Sequence, residues 1–569
     1  MMNDQTIGYK PSNYVFEDSI DEFINKQIKK FPNYSPQQIK SWTQDHKDHR
    51  NSYLEIESNL INQTIDTRTF GNCFLRPEHI IKDDHCKFVQ EKLFPWLTFK
   101  SPKLTRYDGV ETEYSISGGC FLQQIFKQQK GEGIVISAKN SHYQQLVSLF
   151  TTLRILNNTL PIQIVHRDDI TKSRRSQLIR LARLDLKTLV EEQNSTIIEP
   201  LTLQNEYNQT ELKYSDYPKL DVSFLNIQPT ISKSHSKDFK MYSNKLLATL
   251  FTTFQKAIFM DADIILFKSP QDLLKIPEFQ EKGAFFFRDR ELINRSSDQD
   301  KIFWEKLMPT KYESSNFGTP SATSQTLDNR YFHGFTHLVE AGVVLMDRST
   351  HFPGLLHALQ LVLWNTATKR VWGDKELFWL SQAISGTENF AFNKHGAGAI
   401  GEIIVNGTQE KICSNQPVHV YNDTILWINS GFKFCKNGGA GRDLKHYPGY
   451  TLDTLMERYR GGINVSAVIV PPQVDDLYLG WSSEEQHLDH EQRIQGWYNM
   501  AMCSGYTYCA VSPVIESNGK ERHGTVIKVN EQESFNYNYL GNVWLDANEM
   551  SKTIDKNKKE FAPYIDVDV

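Results

Sequence analysis

Residues 254–274 read FQKAIFMDADIILFKSPQDLL. Residues 257–260 are short and apolar, the pattern of a buried strand. Asp261, Ala262 and Asp263 follow at once, and 264–267 is apolar again. Carboxylates set between two apolar runs cost on the order of several kcal/mol unless something compensates their charge. On extended backbone, residues two apart point to the same face, so Asp261 and Asp263 can converge on one object. A hard divalent cation with oxygen ligands suits two carboxylates that also meet a substrate diphosphate. Ser269 and Pro270 then read as the N-cap and first residue of a helix. The competing reading of the pair is a polar turn between two strands.

The 569 residues leave room for two to four domains. A formal charge of −5 gives no basic field that would argue for nucleic acid or an anionic membrane. No run of about 18 apolar residues occurs, so the sequence carries no membrane span. Its polar start, MMNDQTIGYKPSNY, has no secretory signal. Seven cysteines include no Cys-x-x-Cys pair, which argues against zinc. Short spacings suggest Cys413–Cys435, Cys503–Cys509 and Cys73–Cys86 as disulfides, with Cys120 left over; seven reduced, buried cysteines is the alternative. With nine Asn-x-Ser/Thr sequons, the cysteines point to the lumen of the secretory pathway.

Along the chain, 1–130 is polar, with helices expected at 20–30, 53–65 and 79–98, and reads as a stem. GIVISA at 133–138, a helical pattern at 142–157 and LPIQIVH at 160–166 form a strand–helix–strand unit, which implies a parallel sheet. Nucleotide sites often form at the carboxyl ends of such strands. Arg167, Asp168 and Asp169 read as a solvated turn. Residues 173–192 read as a surface helix, 205–238 as a long loop, and 241–254 as a helix carrying Lys245. That lysine either reaches a diphosphate or is solvated. GAFFFRDRE at 283–291 is a buried strand ending in charge. Residues 294–329 are rich in Ser and Thr and read as a loop, a lid or an acceptor loop. Beyond it come a strand at 343–346, a helix after Pro353, a helix over 371–386 with Asp374 near its N-cap, and strand–turn–strand over 416–436. The domains are a stem at 1–130, a catalytic domain at 131–470 and an extension at 471–569 that packs back on the core with few long periodic runs.

Taken in order, GIVISA with LPIQIVH, FQKAIFMDADIILFKSPQDLL, HLVEAGVVLMDRSTH, WGDKELFWLSQAISG, AGAIGE and QPVHVYNDTILWINSG resemble the fungal α-1,3-mannosyltransferase family, glycosyltransferase family 71. The resemblance spans about 118–510 and extends, more distantly, to the glycogenin-like transferases. It implies an α/β protein with a GT-A-like, Rossmann-type mixed sheet flanked by helices. It implies a Mn²⁺-dependent enzyme that moves mannose from GDP-mannose to mannose-ended glycans and retains the α configuration. It also implies a type II membrane protein of the Golgi, with its chemistry in the lumen; the anchor of that pattern is missing from this sequence. The acceptor stays open between N-glycan, O-glycan and another mannan.

Carried onto these residues, the resemblance implies that Asp263 is the firmer metal ligand and that Asp261 shares between metal and donor ribose. His419 is the candidate third ligand; a structural histidine is the bland alternative. Glu340 and Gly342 read as a strand entry at the sugar, where a glycine lets backbone approach the donor. Asp374 and Glu376 are the remaining candidate catalytic carboxylates. No residue declares itself a nucleophile, so same-face attack is favoured, with the departing phosphate taking the acceptor's proton and Asp374 orienting both sugars. The rival for Asp374 is a helix N-cap. Two other functions remain: a retaining hexosyltransferase using a UDP-sugar, and a non-catalytic glycan-binding paralogue. A hydrolase is disfavoured because the Asp261 motif suits a metal diphosphate better than a raised-pKa acid.

Overall fold

The computed structural model describes residues 20–556 except 31, 33–34, 76–82, 114–118, 186–201, 206–207, 212–216, 241, 294–297, 334, 474–495, 501 and 516–519. Its centre is a nine-stranded mixed sheet. The spatial order is Ala391–Phe392, Ala284–Arg288, Val339–Asp347, Lys256–Met260, Glu132–Ser137, Ile162–His166, Val222–Asn226, Lys103–Arg106 and Glu111–Glu113. Lys256–Met260, Glu132–Ser137, Ile162–His166 and Val222–Asn226 run parallel. These strands are nearly continuously apolar because helices cover both faces. Alternate residues divide between the two layers. Ile134, Ile136, Ile258 and Met260 pack toward the helix Tyr143–Ile155, while Val135, Ala257 and Phe259 pack toward the helices Ser243–Phe251 and Arg348–Val362.

Glu132–Ser137, first of the four in sequence, lies between the second and the fourth. The strand order therefore reverses between Glu132–Ser137 and Lys256–Met260, and ligands of such sheets bind at the carboxyl ends beside that reversal. The reversal puts Asp261 at that point. After Asp263 the chain leaves the large sheet. Ile265–Leu266 pairs with Thr424–Ile428 at the edge of a six-stranded antiparallel sheet. The two apolar runs that flank the aspartates thus belong to two different sheets, and 261–264 is the corner between them.

Several expectations change. Residues 294–329 hold the helices Asp298–Leu307, Lys311–Phe317 and Ser324–Leu327. The Ser/Thr content that suggested a loop includes the caps themselves: Thr310 and Thr323 accept hydrogen bonds from Glu313 N and Gln325 N. Within the expected loop 205–238, Val222–Asn226 is an interior strand. The helix after Asp347 starts at Arg348, before Pro353, with the Asp347 side chain accepting from Ser349 N. The helix expected over 371–386 is confined to Leu377–Ile384. The helix read at 173–192 is Lys172–Arg183, and its remainder from 186 lies outside the described residues.

Helices from the regions read as stem and extension pack on the central layers. The helix Pro36–Phe74 is far longer than the expected 53–65, and its buried Arg68 pairs with Glu313 at 2.7 Å. The helix Glu531–Lys556, unforeseen in an extension read as having few long periodic runs, lies along Tyr143–Ile155. The expected disulfides are corrected as well. The bonds are Cys86–Cys120, Cys413–Cys509 and Cys435–Cys503, and Cys73 is free. Proximity in sequence misleads here because Cys413 and Cys509 lie directly opposite on the paired strands Gln409–Ser414 and Tyr508–Ser512. Among the described residues, no helix is long and apolar enough to cross a membrane.

Candidate active site

Strand Lys256–Met260 runs one step past its end, since Asp261 N donates to Gly342 O at 2.9 Å. That bond fixes Asp261 against Val339–Asp347. Lys245, on the helix Ser243–Phe251, places its Nζ 2.7 Å from Asp261 Oδ1 and 3.4 Å from Asp374 Oδ2, and donates to Ala341 O at 2.7 Å. Burial works against the lysine's charge, but Asp261 and Asp374 hold its pKa above the ordinary value. Asp261 keeps 34% of its side chain exposed. Burial of the groove nonetheless pushes its pKa up to about 6, against the pull of Lys245 and with a further push from Asp263. Lys245 is thus neither solvated nor free: it ties two carboxylates together.

Asp263 is held by a different set of groups. Gly431 N donates to its carbonyl at 2.9 Å, and Lys436 Nζ sits 2.6 Å from its Oδ2. The loop 429–436 is backed by the helix Glu531–Lys556. The Trp544 ring lies against Gly431 so closely that a Cβ there would come within 2.4 Å, and Phe432 packs on Gly541 in the same way.

Asp374 is 4% exposed, and its Oδ2 has no hydrogen-bond donor in good geometry. It is not a helix N-cap: it lies in the turn before Leu377–Ile384, whose N-cap is Glu376. The Lys245 ammonium at 3.4 Å offsets its charge but leaves that oxygen room to accept a hydrogen bond.

Glu340, Gly342, Glu376 and His419 serve differently. Glu340 accepts from Gly342 N at 3.1 Å, Asn429 Nδ2 at 3.0 Å and Lys375 Nζ at 2.9 Å, so its oxygens are fully engaged. Lys375 also meets the fully buried Asp289 at 2.8 Å. Burial opposes ionisation of Asp289, but Arg290 and Lys375 hold its carboxyl well below the usual carboxylate range. Gly342 is glycine for packing: a Cβ would lie 2.8 Å from Ile264 Cδ1 and 3.0 Å from Asn429 Nδ2 and Trp427. Glu376 is not brought into the site. Its oxygens accept from Leu338 N at 2.8 Å and Trp379 Nε1 at 2.7 Å, which makes it a structural anchor.

His419 is fully buried, stacked on Trp427 at 4.0 Å between ring centroids and edged by Phe287 at 5.5 Å. Burial pushes its pKa down to about 4, and the carboxylates it feels most are Glu340 and Asp289. Among the described residues no three His, Cys, Asp or Glu side chains converge as a metal-binding group. The expected triad of Asp261, Asp263 and His419 is therefore not assembled. The aspartate pair alone still fits a hard cation. The two carboxylates repel each other and each has drawn in an ammonium group, and one or two carboxylates plus substrate phosphates suffice for such an ion.

A family model described as "Mannosyltransferase putative" matches residues 131–421, a span that takes in every one of these carboxylates. The chain is 30% identical, over 92% of its length and 78% of the relative's, to a putative α-1,3-mannosyltransferase of Candida albicans, MNN15. The chain belongs to the fungal α-1,3-mannosyltransferase family. It is also 26% identical to the α-1,3-mannosyltransferase MNN1 of Saccharomyces cerevisiae, over 91% of this chain and 67% of that one. A galactosyltransferase structure, LgtC with donor and acceptor sugar analogues, matches at TM-score 0.26 and 10% identity over 46% of this chain and 73% of its own.

This mannosyltransferase is therefore a glycosyltransferase, and its structure adds residues that the sequence alone did not single out. Asp289 had a signal, since it closes a buried strand with charge. Lys375 sits between the two carboxylates of the WGDKELFW string, a position the sequence reading passed over. Asn429 is a strand-end amide, and Lys436 carried no signal at all.

Proposed function

We propose that the enzyme transfers mannose from GDP-mannose to mannose-ended glycans of the secretory pathway, forms α-1,3 linkages and retains configuration at the anomeric carbon. The observation that carries this reading is the Lys245-bridged pair of Asp261 and Asp374 at the carboxyl end of the parallel strands. In this reading Asp261 meets the donor and Asp374 Oδ2, ion-paired with Lys245 but without a hydrogen bond, accepts a sugar hydroxyl. Held between them, Lys245 keeps donor and acceptor sides in register. The bond from the anomeric carbon to the phosphate oxygen breaks while a bond to the acceptor hydroxyl forms on the same face, and the hydroxyl proton passes to the departing phosphate. Asp261 and Asp263 would hold a divalent cation, which when bound would neutralise charge on the leaving diphosphate. Three disulfides support a lumenal setting such as the Golgi.

The test is a donor and acceptor screen with GDP-mannose, UDP-galactose and UDP-glucose, each with methyl α-mannoside and α-linked mannobiose. Transfer from GDP-mannose alone, abolished by EDTA and restored by Mn²⁺, is expected. Transfer only from a UDP-sugar, or turnover indifferent to EDTA, overturns the donor or the metal assignment respectively.

A further inference from the structure

Two aromatic side chains stand exposed beside Asp374. Trp372 is 64% exposed and Tyr242 is 55% exposed. Isolated exposed apolar residues need no explanation. These two are not isolated. Gly373 lies between them, with φ +71°, and a Cβ on it would come within 3.2 to 3.4 Å of the Tyr242 ring. The Tyr242 ring therefore rests on the backbone that joins Trp372 to Asp374. Tyr242 also opens the helix of Lys245, its carbonyl accepting from Lys245 N at 3.0 Å. Each aromatic is thus tied within one turn of chain to one member of the Lys245–Asp374 pair.

Trp372 is also braced from behind. Its ring lies 5.4 Å from the ring of His337, tilted by 37°. His337 holds φ 55°, a left-handed conformation that a residue with a Cβ rarely adopts. Its Nδ1 lies 3.6 Å from Asp289 Oδ2, the same oxygen that Lys375 binds. A large apolar ring is thereby held out toward solvent by a strained residue and a buried carboxylate.

We infer that Trp372 and Tyr242 form the platform on which the acceptor's terminal mannoside lies, ring face against ring face. This rests on the reading of Asp374 as the carboxylate that meets sugar. A pyranose has one face lined by C–H groups and a rim of hydroxyls. A rigid aromatic surface covers the first at small entropic cost, and Asp374 Oδ2, ion-paired with Lys245 but without a hydrogen bond, takes a hydroxyl from the second. With the donor assigned to Asp261 across the Lys245 bridge, the platform serves the acceptor.

Trp372→Ala and Trp372→Phe separate this from other roles. The expected result for Trp372→Ala is a KM for methyl α-mannoside raised about tenfold or more, with the KM for GDP-mannose changed less than about twofold. Trp372→Phe returns the acceptor KM to within about threefold of the parent, and Tyr242→Ala raises it in the same direction. Equal rises in both KM values, or an unchanged acceptor KM, overturn the platform. Titration of methyl α-mannoside into the parent and into Trp372→Ala, followed by saturation-transfer NMR, reads the platform without turnover. Mannoside binding that Trp372→Ala abolishes upholds it even if no nucleotide sugar proves to be a donor. No binding to the parent, or equal binding to both, sinks it even if the transferase reading stands.

Discussion

Asp374 Oδ2 has only the Lys245 ion pair and no hydrogen bond, whereas Asp289, Glu340 and Glu376 are hydrogen-bonded. That contrast gives the residue-scale predictions. Asp374→Asn keeps the shape and removes the charge; kcat falls by on the order of 10²-fold or more, with the melting temperature within about 2 °C of the parent. A thermal scan beside a rate assay checks this, and a large melting shift with modest rate loss would instead make Asp374 structural. Lys375→Met behaves in the opposite way. It strips a buried cation from Asp289 and Glu340 together, so unfolding by urea should show a loss of about 3–5 kcal/mol. Carboxylates between apolar runs call for charge compensation, and that much was legible: Lys245 meets Asp261 and Lys436 meets Asp263. His419 was not, because a histidine in a strand reads the same whether it faces a cleft or, as here, an indole.

At the scale of elements, the corner 261–264 is held by strand Val339–Asp347 on one side and by the loop 429–436 on the other. Gly342 is where these meet. In Gly342→Ala the new methyl collides with Ile264, Asn429 and Trp427, so the expected loss is about 1–3 kcal/mol, read from denaturant midpoints. A variant of parent stability with only a raised donor KM would restore the reading of Gly342 as a place for close backbone approach. The strands that carry the corner were legible because they are short apolar runs in an uninterrupted strand–helix–strand order. The helices of 294–329 were not, because Ser and Thr signal caps and loops alike, and only the fold shows Thr310 and Thr323 acting as caps. The disulfides were not legible either, since register between strands far apart in sequence sets which cysteines meet.

Over the whole molecule, several histidines are buried in their neutral form. Burial pushes His166 and His419 from the ordinary 6.5 down to about 4. The unfolded chain therefore binds more protons than the native one between those values. Stability from these groups is complete above about pH 6.5 and is lost as pH falls toward 4. Urea midpoints at pH 7, 5.5 and 4.5 should decline in that order, and His419→Phe should flatten the decline. A midpoint that holds steady across the range would mean that these rings reach water.

The helix Glu531–Lys556 has one more consequence, which concerns the order of synthesis. Trp544 forms the back wall of the loop that grips Asp263, yet it is made some hundred residues after that loop. A nascent chain leaving the ribosome can assemble its parallel strands well before this wall exists. A chain released before residue 531 lacks that wall, and the expected outcome is weaker turnover than the parent, read by assaying residues 1–530 beside the full chain.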